Sequence, residues 1–206
     1  MTKAFKKFGA IMIPSCYRLD QNPARQRGAS LIMVMMILII VSLLGIGGAQ
    51  IGLMSERGAR NDRDMQVAWQ AAEAALIDAE ADMIGTRKPF FDGKTRTGFI
   101  AGCGTSGTSM GLCDLTSSGK PAWLTVDFTN TDSNAPTTAF GAFSGNSFKT
   151  GTTGVQPYQL PRYIIELVED PFSKGNYVYR VTAMGFGPRQ DIQAVMQMIY
   201  RTLNED

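Results

Sequence analysis

The chain has 206 residues, 44% of them apolar, with 20 lysines and arginines against 18 acids and no histidine. Without histidine it lacks Ser-His-Asp and Cys-His catalytic sets and the usual zinc ligand sets. The stretch GCGTSGTSMG (residues 102–111) also lacks the lysine and the strand–helix setting of a phosphate loop, so the expectation is no enzyme, no cofactor and no metal.

Residues 1–28 form a basic leader: Lys3, Lys6, Lys7, Arg18, Arg25 and Arg27 stand against Asp20 alone. Without them the chain keeps 14 bases and 17 acids, a net −3, so the overall +2 belongs to the leader and does not point to nucleic acid. Directly after it, Ala29 to Met54 runs without a charged side chain. A bilayer core of about 30 Å needs roughly 20 apolar residues in a helix. The run is longer than the apolar region of a cleaved secretory signal, typically about 7–15 residues. It reads as the transmembrane half of a helix, residues 29–54, and the positive-inside bias places the N-terminus in the cytoplasm. Everything beyond then lies across the inner membrane.

The helical pattern continues without a proline through residues 55–84. Met65, Ala68, Trp69, Ala72, Ala75, Leu76 and Ala79 recur at spacings of three and four, which predicts one packing stripe; Trp69, Ala72 and Leu76 stand out in it. Arg63, Asp64, Glu73, Asp78, Glu80 and Asp82 read as the opposite, solvated face. Gly85 and Pro89 close the helix in the expected order. Gly45, Gly47, Gly48, Gly52 and Gly58 fit close packing in lipid, a stretch that loosens outside it, or equally an ordinary membrane helix that contains some glycines.

Residues 85–206 read as a β-rich head. Cys103 and Cys113, ten apart in an exported Gly/Ser/Thr-rich stretch, are expected to form a disulfide, and Cys16 lies in the leader. Pro121–Phe128 (PAWLTVDF) reads as a strand, and residues 129–157 as a variable loop. Asp127, Asp132 and Asn134 suggest calcium, but their spacing matches no binding loop and they read as turn residues. Arg162–Asp170, Asn176–Gly187 and Asp191–Leu203 are three β-rich runs with short turns, an antiparallel meander. In the last run Ile192, Ala194, Met196, Met198 and Tyr200 alternate with Gln193, Val195, Gln197 and Ile199. The fold class is α+β: one long helix whose apolar stripe covers one face of the meander.

At this point the residues resemble a family. Arg27-Gly28 followed by an uncharged helix from Ala29 is similar to the processing site and N-terminal helix of type IV prepilins. NDRDMQVAWQAAEAALIDAEADM (Asn61–Met83) resembles minor pilins of the PilX type, as does YVYRVTAMGFGPRQDIQAVMQMIYR (Tyr177–Arg201). The resemblance covers roughly residues 25–84 and 160–201. It implies a processing site at Arg25, Arg27, Gly28 and Ala29, with cleavage after Gly28 by a prepilin peptidase/N-methyltransferase and methylation of Ala29. It further implies partnership with other minor pilins, the major pilin and the inner-membrane assembly platform, and residence in inner-membrane lipid before assembly. Two positions depart from the pattern. Pilins generally begin with a bulky apolar residue, whereas Ala29 stands here, and the glutamate usual at the fifth mature position is replaced by Met33. That carboxylate pairs with a neighbour's N-terminal amine in the family, so Met33 implies a subunit with none above it, at the tip or in a priming complex that supports adhesion or twitching motility. The rival readings are a type II secretion pseudopilin and a plain single-pass membrane-anchored periplasmic protein.

Overall fold

A computed structural model describes residues 29–114, 120–148 and 154–202. Arg25, Arg27, Gly28 and Cys16 lie outside the described residues. The chain divides into two compact units, Met1–Gly52 and Leu53–Asp206.

The first unit is described from Ala29 on as the start of helix α1 (Ala29–Ile84). From Leu31 to Ile51 its large apolar side chains are all exposed, and no atom lies near a Cβ placed on Gly45, Gly47, Gly48 or Gly52. A helix pairs its backbone groups internally, so this stretch needs no partner for hydrogen bonding, and among the described residues no side chain packs against it.

In the second unit, α1 continues to Ile84 and lies against a sheet. The strands are β1 (Leu112–Cys113), β2 (Thr138–Ala139), β3 (Arg162–Glu169), β4 (Tyr177–Phe186) and β5 (Gln193–Tyr200). The order β1-β3-β4-β5 is antiparallel from β3 to β5, as the alternation and short turns dictate. β1 joins β3 in parallel, Leu112 opposite Ile165, and β2 pairs β3 antiparallel. The sheet is therefore mixed.

The core lies between α1 and the sheet. Ala75, Leu76, Ala79 and Met83 meet Tyr163, Ile165 and Leu167 of β3 and Tyr179, Val181 and Ala183 of β4. Phe91 and Phe99, from the chain just beyond the helix, pack on the Tyr179 ring with centroids 5.0 and 5.8 Å away. On the other face Cys103, Cys113, Ala122 and Phe128 cover Ile164. Helix and sheet approach closely at Gly185: a Cβ there would collide with the backbone of Ala68, Ala71 and Ala72. Small residues on both sides permit that contact.

Three expectations change. Trp69 is 49% exposed and leaves the stripe, which instead runs through Ala68, Ala71, Ala72, Ala75, Leu76 and Ala79. An indole would not fit where alanine meets glycine, and one position along the helix turns the side chain by about 100°. Pro121–Phe128 is not a strand but a 3-10 turn at Ala122–Leu124, with Thr125 and Val126 N–H groups donating to the Ala122 carbonyl. Asp127 then accepts hydrogen bonds from the Thr129 hydroxyl and N–H, which hold its carboxyl below the usual value. Third, Asp78 and Asp82 are not on a solvated face; both are completely buried.

Candidate functional site

Asp78 and Asp82 sit one turn apart on α1, flanking the alanine stripe, and each draws a distant segment onto the helix. Asp82 pairs with Arg87, whose Nε lies 2.9 and 3.0 Å from its two carboxylate oxygens, and both side chains are wholly buried. Gly85 and the following turn reverse the chain, and this brings Arg87 back over the last helical turn. The Tyr163 hydroxyl of β3 donates to Asp82 Oδ2 at 2.8 Å. Burial and the Asp82 carboxylate push the Tyr163 phenol above its usual range, so it stays a donor. The Arg87 guanidinium also donates to the carbonyls of Thr108 (3.2 Å) and Met110 (2.7 Å), and its Cζ stacks 3.9 Å from the centre of the Phe143 ring. A buried ion pair stands only when further hydrogen bonds satisfy both partners, and here they do.

Asp78 is satisfied by neutral donors. The Gly141 N–H (2.8 Å), the Asn146 side-chain amide (2.9 Å) and the Ser144 hydroxyl all donate to it. The Thr86 hydroxyl donates to the Phe143 carbonyl at 2.9 Å. Residues 141–146, part of the expected loop, are thereby held against the helix, and the 149–153 part of that loop lies outside the described residues.

The sulfurs of Cys103 and Cys113 are joined, both residues buried, with Cys103 at φ +72°. The ring they close contains Thr108 and Met110, so it presents the two carbonyls that Arg87 uses. It also carries β1 to the sheet, where the Ile165 N–H donates to the Gly111 carbonyl at 2.8 Å. On the same outer face Glu166 accepts from the Ala122 N–H (2.8 Å) and from Arg180 (3.0 Å).

The structure thus brings Ala72 and Leu76 into the core, joins Cys103 to Cys113, leaves Trp69 outside and sets Met33 on the bare part of α1. Asp78, Asp82, Arg87, Tyr163 and Gly185 went unpredicted. The one sequence signal for the aspartates is their i, i+4 spacing beside alanines that are too small to shield a neighbour from the sheet.

A long apolar helix start, an alanine face on a mixed, mainly antiparallel sheet and a disulfide ring bound to the helix end now stand together. Residues 27–76 match the family PilX N-terminal, and residues 109–202 match Type IV pilus assembly protein PilX C-term. The chain belongs to the PilX family of type IV pilus minor pilins. No curated protein and no solved structure matches it. The family is a structural component of the pilus, and α1 is long and apolar enough in its first half for a membrane-anchored pilin. The two matched stretches carry α1 up to Leu76 with most of its stripe, and the sheet with β1. The Asp82–Arg87 pair falls between them.

Proposed function

We propose that this minor pilin is made as a precursor, cleaved after Gly28, methylated at Ala29, and built into a tip or priming complex from which pilus assembly starts. In this reading residues 1–28 stay cytoplasmic, residues 29–54 hold the chain in the inner membrane, and the head from residue 85 on is periplasmic before it reaches the cell surface. The observation that carries the tip assignment is Met33, which stands where pilins carry a carboxylate and is 69% exposed on the uncharged start of α1. An unpaired carboxylate in hydrocarbon costs several kcal/mol. A subunit with a neighbour above recovers that cost through the neighbour's amine, and a subunit with none does better with methionine. Support for adhesion and twitching motility follows from a role in starting the pilus.

The test is N-terminal mass spectrometry of protein from membranes and from sheared pili, together with immunogold labelling. The expected result is a methylated Ala29 terminus in both fractions and sparse label near one end. An unprocessed precursor in wild-type cells would leave a plain membrane anchor. Label along the whole shaft, with better incorporation of Met33→Glu, would remove the tip role.

A further inference from the structure

The two edges of the sheet are finished differently. At one, β1 and β2 both pair with β3, and beyond β1 Ile100 bridges Cys113, so disulfide-linked chain closes that side. At the other, β5 pairs among the described residues with β4 alone. Exposed edge strands are normally blunted by charge, proline, a bulge or brevity, because a row of free N–H and C=O groups recruits other strands. β5 has none of these devices. Its eight residues, QAVMQMIY, contain no charge and no proline and stay in unbroken register with β4 from Gln193 to Tyr200.

The register says which groups are free. The Gly187 N–H donates to the Ile192 carbonyl, so Ile192 and every second residue after it turn their backbone groups to β4. The N–H and C=O groups of Gln193, Val195, Gln197 and Ile199 therefore face outward. Their side chains lie on the outer face, exposed, glutamine alternating with Val195 and Ile199, while Met196 and Met198 are half-buried toward α1.

We propose that β5 is a docking edge which takes an extended, uncharged segment of a different pilus protein as a sixth strand. Antiparallel pairing with a second copy of this chain does not fit. Two β5 edges meeting antiparallel are related by a two-fold axis normal to the sheet, and that axis reverses any helix lying on the sheet. The two copies of α1 would then run in opposite directions, which chains anchored through the same helix end in one membrane do not do. The opposite edge is made of two-residue strands and the single Ile100–Cys113 bridge, so among the described residues it offers no eight-residue ladder for head-to-tail addition of copies. Neutrality selects the chemistry: a charge set against eight uncharged residues would lose water and gain no partner. The incoming segment therefore alternates apolar side chains beside Met196 and Met198 with polar or small ones beside Gln193 and Gln197. Main-chain bonds supply affinity and the alternating side chains supply selection.

This inference rests on the minor-pilin reading, and the experiment separates the two. Full-length chain purified from membranes in detergent is compared with the same chain in complex with its co-purified pilus subunits, by amide hydrogen exchange. The expected result is fast exchange at Gln193, Val195, Gln197 and Ile199 in the chain alone and slow exchange at those four in the complex. Equal fast exchange in both overturns the docking edge, and protection in the purified chain alone that grows with its concentration overturns the different-protein partner. Val195→Pro removes one outward donor where an edge strand tolerates proline. It should be processed at Gly28 and accumulate normally, yet enter the complex about tenfold less. Where Val195→Pro fails to accumulate, Val195→Lys with Gln197→Lys gives the same reading while keeping the backbone. Normal incorporation of a well-folded variant rejects the edge, whereas failed processing of the wild-type chain rejects the pilin reading instead.

Discussion

Burial along α1 runs opposite to hydropathy. Before Gly52 the helix is apolar on all sides and every large side chain is exposed; after Asp64 it carries acids, and two of these are wholly buried. The difference is one of surroundings. The second half reaches the sheet because alanine and glycine let backbones approach, and its buried carboxylates are tolerable because Arg87, Tyr163 and the 141–146 segment supply donors. The first half meets no other described residue, and its length and apolar character fit a membrane anchor. One half is specified by what the chain folds onto it, the other by apolar length alone.

The comparison breaks most easily at Asp82. Asp82→Ala leaves Arg87 buried without its carboxylate and should cost the head about 3–5 kcal/mol, read from urea unfolding. A cost below about 1 kcal/mol would mean that the pair does not organise the helix end. Next comes the ring that completes it. Cys103→Ser with Cys113→Ser should cost about 2–3 kcal/mol, and combined with Asp82→Ala the losses should fall short of additive, because both changes release Arg87. Simple additivity would show that ring and ion pair are independent. In the unaltered protein, thiol labelling without reduction should find neither cysteine free.

What was legible follows the same division. The reach of α1, its stop at Gly85, the three strands and the alternation of Ile192, Ala194, Met196, Met198 and Tyr200 with their neighbours all come from local spacing, which sequence states directly; that only the first set turns inward comes from the structure. Asp78 and Asp82 read as solvated because the groups that neutralise them are remote: Tyr163 is 81 residues from Asp82, and Gly141 gives Asp78 a backbone N–H that any residue would carry. Trp69 went wrong for a finer reason. Spacing locates a face to within about one residue, and only Gly185 on β4 decides that alanine, not tryptophan, must sit there. Pro121–Phe128 has a strand's composition, but Asp127 turns the chain locally through Thr129.

Gly185→Ala sharpens the account of the buried half. The new methyl group would press on helix backbone, which cannot rotate aside, and should cost about 1–3 kcal/mol. Gly48→Ala in the bare half meets nothing and should leave anchor stability unchanged or improved. Thermal melts of the two variants in detergent would compare them, and equal losses would defeat the distinction. A smaller, pH-selective effect belongs to Tyr179. Burial pushes its phenol up from 10.0 to about 12. A pKa raised on folding gives stability that is complete below pH 10 and lost as the pH climbs toward 12. Tyrosinate absorbance lost on Tyr179→Phe should thus appear only as the pH climbs toward 12, together with loss of the fold; its appearance near pH 10 with the fold intact would show that Tyr179 is solvated.

The smallest expected effect on folding is at Trp69, and it tests the boundary of the buried face. Trp69→Gln removes a large apolar side chain from the sequence's apparent stripe, and a tryptophan packed in that stripe would cost about 3–5 kcal/mol to truncate. At 49% exposure, beside alanines that already fill the contact with Gly185, the change should stay within about 0.5 kcal/mol. Urea unfolding decides between these two values without overlap. Trp69 fluorescence gives a second reading, since a half-exposed indole emits to the red of a buried one and is quenched by iodide, with Trp123→Phe removing the only other indole. A blue, unquenched signal and a large stability loss would return Trp69 to the core and require α1 to be rotated on the sheet, which the close approach of Ala68 and Ala72 to Gly185 does not permit.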